Sequence, residues 1–412
     1  MISFSEFTLD NGLRVIVHED PSVQIAVVNV LYDVGSRDED PNKTGFAHLF
    51  EHLMFGGSKN IPNYDEPLQL VGGENNAFTS TDITNYYLSV PAANIETGFW
   101  LESDRMLGLS FDPHVLEVQR KVVIEEFKQR YLNQPYGDVW LKLRPLAYQT
   151  HPYRWATIGK EISHIENATL DDVSRFFYTH YVPNNAILVV AGHVTLPQVK
   201  RLAEKWFGPI PKGNERTRHL PQEPKQTQKR VQHLEARVPA NALYKTWHMG
   251  GRFDADYYAS DLLSDVLSRG QSSRLYQKLV QEKEIFTSIS SFVTGTIDPG
   301  MWVVSGRVRE GIALEQAEHE VDEVIRELIS APIEATELEK VKNQAEASLA
   351  FGEVDVLNRA MNLAFAKLSG NAGLVNEEGA RIQQVTAEQL QAVAAATLRE
   401  DNASVLYYHA KG

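Results

Sequence analysis

The feature that most constrains this chain is a weak internal repeat. The stretch Val30-Leu31-Tyr32-Asp33-Val34-Gly35-Ser36-Arg37 returns as Leu243-Tyr244-Lys245-Thr246-Trp247-His248-Met249-Gly250-Gly251-Arg252, and a helix-patterned segment follows each copy. The two halves also end alike. A helical pattern, an Asn184-Asn185 turn and the run Ala186 to Ala191 close the first; a helical pattern, an Asn402 turn and the run Ser404 to His409 close the second. A recurring mixture of extended and helical segments predicts two copies of one supersecondary unit. The expected fold class is α+β, in two homologous halves. Each half is a mainly antiparallel sheet with helices packed on one face. A chain of 412 residues is too long for one core, which agrees.

The halves are expected at residues 1–208 and 230–412. Between them, from Phe207-Gly208-Pro209 to Lys229, the chain is rich in Pro, Lys, Gln and Glu and poor in apolar residues, so 209–229 reads as a linker. In the first half, the Asp10-Asn11-Gly12 turn predicts a hairpin, and the Val-rich run Gln24 to Tyr32 a central strand. Residues Glu74 to Ser80 read as an exposed extended segment before a strand from Thr84 to Val90. Pro91 opens a helix to about Leu109, and Pro113 opens one through Phe127. The run Leu314 to Leu368 reads as helical packing.

Chemistry concentrates in His48-Leu49-Phe50-Glu51-His52. Imidazoles four apart lie on one helical face, about one turn from each other. Phe46, Leu49, Phe50, Leu53 and Met54 supply the buried stripe of that helix. Ionisable groups on so apolar a helix are costly unless paired or metal-bound. Two imidazoles and a carboxylate from elsewhere make a three-ligand zinc site with a fourth position open to water, whose pKa the ion would lower. His48 and His52 are the expected ligands. Glu51, unable to share the ion easily with its neighbour, is the expected general base. The third ligand is sought on the helix through Phe127, where Glu125 and Glu126 lie about 100° apart, so that only one can face the ion. Periodicity does not choose between them. The second half offers Asp261, Ser264 and Asp265 in the corresponding place, which predicts a metal in the first half alone.

A net charge of −14 argues against nucleic acid as the main partner. With no cysteine, disulfides and thiolate metal sites are excluded. No apolar run reaches the length of about 20 residues that spans a bilayer. Met1 to Glu6 lacks the basic and apolar regions of a signal peptide, so a cytoplasmic location is expected.

The chain resembles the pitrilysin family of metallopeptidases, which carry an inverted zinc motif. The resemblance rests on the H-L-F-E-H helix, on Gly72-Gly73-Glu74-Asn75-Asn76-Ala77-Phe78-Thr79-Ser80 and on Arg120-Lys121-Val122-Val123-Ile124-Glu125-Glu126. It continues through His151-Pro152-Tyr153, Ile158-Gly159, Tyr181-Val182-Pro183-Asn184-Asn185-Ala186 and Ser272-Ser273-Arg274-Leu275-Tyr276, covering nearly the whole chain. In size it is similar to the short bacterial branch, related to the mitochondrial processing peptidase. The resemblance implies Glu126 as the third ligand. It implies that Asn76, Ala77 and Phe78 form an edge strand to which a substrate peptide adds by β-pairing. It further implies a dimer closing around a chamber, either a self-dimer or a pair with a homologous second subunit. Active members carry an Arg and a Tyr in the second half that hold the substrate and polarise its carbonyl. The resemblance puts the Arg position at Val280 and the Tyr position at Phe286, with one residue fewer between them than in the family, and neither residue can donate a side-chain hydrogen bond. The resulting expectation is the zinc-bearing subunit of a pair whose partner supplies the missing donors.

Two other functions remain to be weighed. A non-catalytic peptide-binding or scaffolding subunit is disfavoured by the complete motif with Glu51. Two His and a carboxylate also suit Fe(II) in an oxygenase, but the i, i+4 pair with an intervening Glu favours hydrolysis.

Overall fold

The computed structural model describes residues 1–411. The chain forms two compact units. Unit 1 comprises Met1–Arg130, Trp155–Leu220 and Phe351–Glu377; unit 2 comprises Tyr131–Arg154, Pro221–Ala350 and the chain from Glu378 onward.

Unit 1 is built on six strands: β1 (Ser5–Thr8), β2 (Arg14–Glu19), β3 (Ile25–Tyr32), β4 (Glu74–Thr79), β5 (Thr84–Pro91) and β6 (Ala186–Gly192). Their order is β1-β2-β6-β3-β5-β4. Only β2 and β6 run parallel; the other neighbours are antiparallel. The central strands β3 and β6 read Ile-Ala-Val-Val-Asn-Val-Leu-Tyr and Ala-Ile-Leu-Val-Val-Ala-Gly and are buried along almost their whole length. Runs without alternation mean that both sheet faces must be covered. The helix Ile95–Leu107 covers one. It approaches closely through Gly98, where a Cβ would lie 2.8 Å from Leu88 Cδ1 and 3.1 Å from Val28 Cγ2. On the other face Val27, Leu31, Ile187 and Val189 pack with Ala360, Leu363 and Ala364 of the helix Val356–Leu368.

Unit 2 repeats the scheme with β7 (Arg230–Ala236), β8 (Ala242–His248), β9 (Phe286–Val293), β10 (Met301–Val308) and β11 (Ala403–Ala410), in the order β7-β11-β8-β10-β9. Here β7 and β11 are the parallel pair. Leu262, Leu263, Val266 and Leu267 of the helix Tyr257–Ser268 join the main core with Trp247, Trp302 and Val304. Val139 and Leu143 of the helix Val139–Ala147 pack with Ala242, Tyr244, Leu406 and Tyr408.

The α+β class and the repeat expected from sequence are both present. The compact units, however, do not follow a single cut between 208 and 230. The helix Val139–Ala147 belongs to unit 2 although it precedes the linker, and the helix Val356–Leu368 belongs to unit 1 although it follows it. Each half thus gives one helix to the sheet of the other. The expected linker is also held along its length. In unit 1 Arg216 pairs with Asp38, and Arg218 with Asp33 (2.9 Å) and Asp38 (2.8 Å). In unit 2 the Glu223 carboxylate accepts from the backbone N–H groups of Gln149, Thr150 and His151 at 2.8–2.9 Å. Among the described residues, no helix is long and apolar enough to cross a membrane.

Candidate metal centre

The helix Phe46–Leu53 carries both histidines in unit 1. All five apolar residues expected on its buried stripe are inside, from Leu53 at 5% exposed to Leu49, Phe50 and Met54 at 0%. Gly45 opens the helix with φ +88°, and a Cβ there would lie 2.6 Å from Ile158 O. Having no side chain, Gly45 cannot cap the helix itself, and first-turn N–H groups need acceptors. Glu39 provides them: its two oxygens accept from the N–H groups of Gly45 and Ala47, each at 2.9 Å, and from Trp155 Nε1 at 3.0 Å. Burial pushes the Glu39 carboxyl up to about 8, against those hydrogen bonds.

Helix Pro113–Phe127 brings the acid. Asp112 caps it through the His114 N–H at 2.7 Å, with Pro113 in the first turn. The helix separates the two neighbouring carboxylates as its rotation requires. Glu125 is 59% exposed and pairs with Lys128, whereas Glu126 is 17% exposed and faces the histidines. Glu126 Oε2 lies 3.6 Å from His48 Nε2 and 3.4 Å from His52 Nε2. His48, His52 and Glu126 are the sole group of three such ligand types brought within 4.8 Å of one another among the described residues.

These distances suit a metal. Donors about 2.0–2.2 Å from a tetrahedral zinc ion stand roughly 3.4 Å apart, close to the observed 3.4 and 3.6 Å. Burial, helped by the adjacent His52 ring and opposed by Glu126, lowers the His48 imidazole to about 4. It is therefore neutral at neutral pH, the form that binds metals. Contact with His52 holds the Glu126 carboxyl below its ordinary value, against burial.

Glu51 projects beside this group. Its Oε2 accepts from Thr79 Oγ1 at 2.7 Å. Burial raises its carboxyl above the ordinary value and the Thr79 bond opposes that rise. Thr79 ends β4, which lies at the sheet margin with only β5 as a neighbour. Asn76 and Phe78 are exposed and Ala77 is half-buried on this strand, and the Ala77 N–H donates to Asn76 Oδ1 at 2.8 Å. The margin leaves backbone groups open to a further strand.

Three participants had not been singled out from the sequence: Glu39, Thr79 and Arg130, whose Nη1 lies 2.8 Å from Glu126 Oε1. Thr79 shares the strand side of Ala77 by simple alternation, and Arg130 follows Glu126 at the helical i, i+4 spacing, so both carried a readable signal. In unit 2, Asp265 pairs with Arg269 at 2.7 Å and makes no metal-type group with Asp261. Val280 and Phe286 are 7% and 0% exposed and belong to the core of that unit. The residue facing outward at the start of β9 is Thr287 rather than Phe286, because side chains alternate along a strand.

Residues 14–158 match the family description "Insulinase (Peptidase family M16)", and residues 167–345 match "Peptidase M16 inactive domain". The chain is 32% identical over 350 residues to the zinc protease PqqE of Helicobacter pylori, covering 82% of this chain and 78% of that protein. It is 27% identical over 360 residues to the mitochondrial-processing peptidase subunit beta of Lentinula edodes, covering 83% and 76%. A crystal structure of a Helicobacter pylori protease superposes with TM-score 0.94 at 27% identity, over 99% of this chain and 100% of that one. An M16 inactive domain from Pseudomonas fluorescens superposes with TM-score 0.90 at 18% identity, over 100% and 98%, which bears on the fold alone.

Proposed function

The chain belongs to the insulinase family of peptidases, M16, and on that premise we propose that it is a zinc-dependent endopeptidase acting on peptides or unfolded segments. The observation that carries this reading is the convergence of His48 Nε2, His52 Nε2 and Glu126 Oε2 beside the Glu51 carboxylate. A zinc ion held by His48, His52 and Glu126 would act as a Lewis acid toward the scissile carbonyl and make water a stronger nucleophile.

The remaining work belongs to the chain. Substrate lies extended along β4 and pairs with the backbone at Asn76, Ala77 and Phe78, which fixes the scissile bond relative to the helix Phe46–Leu53. Glu51 accepts a proton from the attacking water and returns it to the leaving amine. Thr79 keeps the Glu51 carboxylate directed toward that water. His48 stays neutral through its burial and so remains available to the metal.

The partner is proposed to be a homologous second subunit carrying the Arg and Tyr donors, with a self-dimer as the other arrangement. This reading rests on the family resemblance; Val280 and Phe286 are core side chains of unit 2 and lend it no support of their own. Loss of a preorganised donor to a developing oxyanion costs about 10² to 10³ in rate. A scaffolding role without catalysis is the competing function, supported by the "inactive domain" match of residues 167–345; the complete motif in the first half speaks against it. Glu51→Gln separates the two. The variant is expected to bind zinc as wild type does and to lose hydrolysis of a quenched peptide, with the partner present. Equal hydrolysis by the two proteins would remove Glu51 as the base.

A further inference from the structure

We propose that Arg130 is a positioning residue for the third ligand, fixing Glu126 so that one carboxylate oxygen is turned to the histidines. The inference rests on the zinc reading above. The two oxygens of Glu126 have different company: Oε2 faces both imidazoles at 3.4 and 3.6 Å, while Oε1 lies 2.8 Å from Arg130 Nη1. Its neighbour Glu125 is drawn the other way, toward Lys128 at 2.7 Å. Each of the adjacent acids therefore has its own cationic partner, Lys128 for Glu125 and Arg130 for Glu126. The backbone changes type at this point. The α-helix ends at Phe127, and Lys128–Leu132 form a π turn that contains Arg130. Single-turn π-bulges within α-helices are frequent at functional sites.

An exposed ion pair contributes little to folding, and Arg130 is 70% exposed. Its effect is instead expected on the metal, because groups that orient a ligand carboxylate or imidazole commonly change metal affinity by about 10- to 100-fold. The sign of the effect is diagnostic. By charge alone, a guanidinium beside the site repels a divalent cation, so its removal would tighten zinc binding. By positioning, its removal weakens zinc binding, because Glu126 is released to turn.

The test is a competition titration of the metal-free full chain against a zinc-chelating dye, with the melting temperature of the metal-free protein as a second readout. Arg130→Ala is expected to bind zinc about 10- to 100-fold more weakly, with the metal-free melting temperature unchanged. Arg130→Lys, which keeps the charge within reach of Glu126, is expected to recover most of the loss. Should Arg130→Ala fail to fold, Arg130→Gln, neutral and similar in length, is read by the same sign. Affinity equal to or tighter than wild type in the neutral variant overturns the inference and leaves the zinc reading standing. A wild-type chain that takes up no zinc overturns the zinc reading itself.

Discussion

The Thr79 hydroxyl donates to Glu51 Oε2 across 2.7 Å, joining the marginal strand of the unit 1 sheet to the helix that carries both histidines. A hydrogen bond to a charged group is worth about 1.5–3 kcal/mol. Thr79→Ala is therefore expected to lower kcat by about 10- to 100-fold, with KM nearly unchanged, because the base and not the binding strand is disturbed. Thr79→Ser keeps the hydroxyl and should recover most of the rate. Steady-state kinetics on one peptide decides it. An unchanged kcat in the alanine variant would show that Glu51 needs no such support.

How much of this was legible beforehand differs by level. The spacing of His48, Glu51 and His52 is a local helical relation, so the sequence alone placed all three on one face. Glu125 and Glu126 could not be told apart by periodicity, because both lie on the same helix and only the rotation of that helix against its neighbour sorts them. The exchange of the helices Val139–Ala147 and Val356–Leu368 was not readable. Their apolar stripes announce burial but carry no address for the sheet that buries them. The Val-rich run of β3 was legible as a central strand, but helices were expected on one face of the sheet only, and the second cover, the helix Val356–Leu368 from the other half, was not foreseen. Glu39 was hidden for a similar reason: its role depends on a turn that folds it back onto the first N–H groups of a helix whose own N-terminal residue is a glycine.

Val280 and Phe286 are packed inside unit 2, which bears on any attempt to place an Arg and a Tyr at these two positions. Val280→Arg would bury a guanidinium and Phe286→Tyr a hydroxyl, and neither has an assigned partner there. Both variants are expected to lower the melting temperature, by the equivalent of about 1–3 kcal/mol for the hydroxyl and more for the charge. Neither is expected to raise the activity of the isolated chain. A gain of activity in either, with stability kept, would mean that these side chains reach a bound substrate.

Glu39 gives the fold a pH dependence of definite sign. Burial raises its carboxyl from the ordinary 4.5 to about 8, with neighbouring Asp38 adding to the rise. The folded chain thus holds this proton more tightly than the unfolded one, and its contribution to stability declines as pH rises from about 4.5 to about 8. The full swing is on the order of a few kcal/mol. Glu39→Gln carries no titrating proton, so its melting temperature should fall less steeply across that window than that of wild type. Parallel slopes for the two proteins would show that Glu39 does not titrate there.

The most direct measurement is the zinc content of the purified chain after loading and desalting, for wild type beside His52→Ala. The account predicts about one zinc per wild-type chain, as a three-ligand site requires, and little or none in the variant. No zinc in the wild type, or the same amount in both proteins, would contradict it.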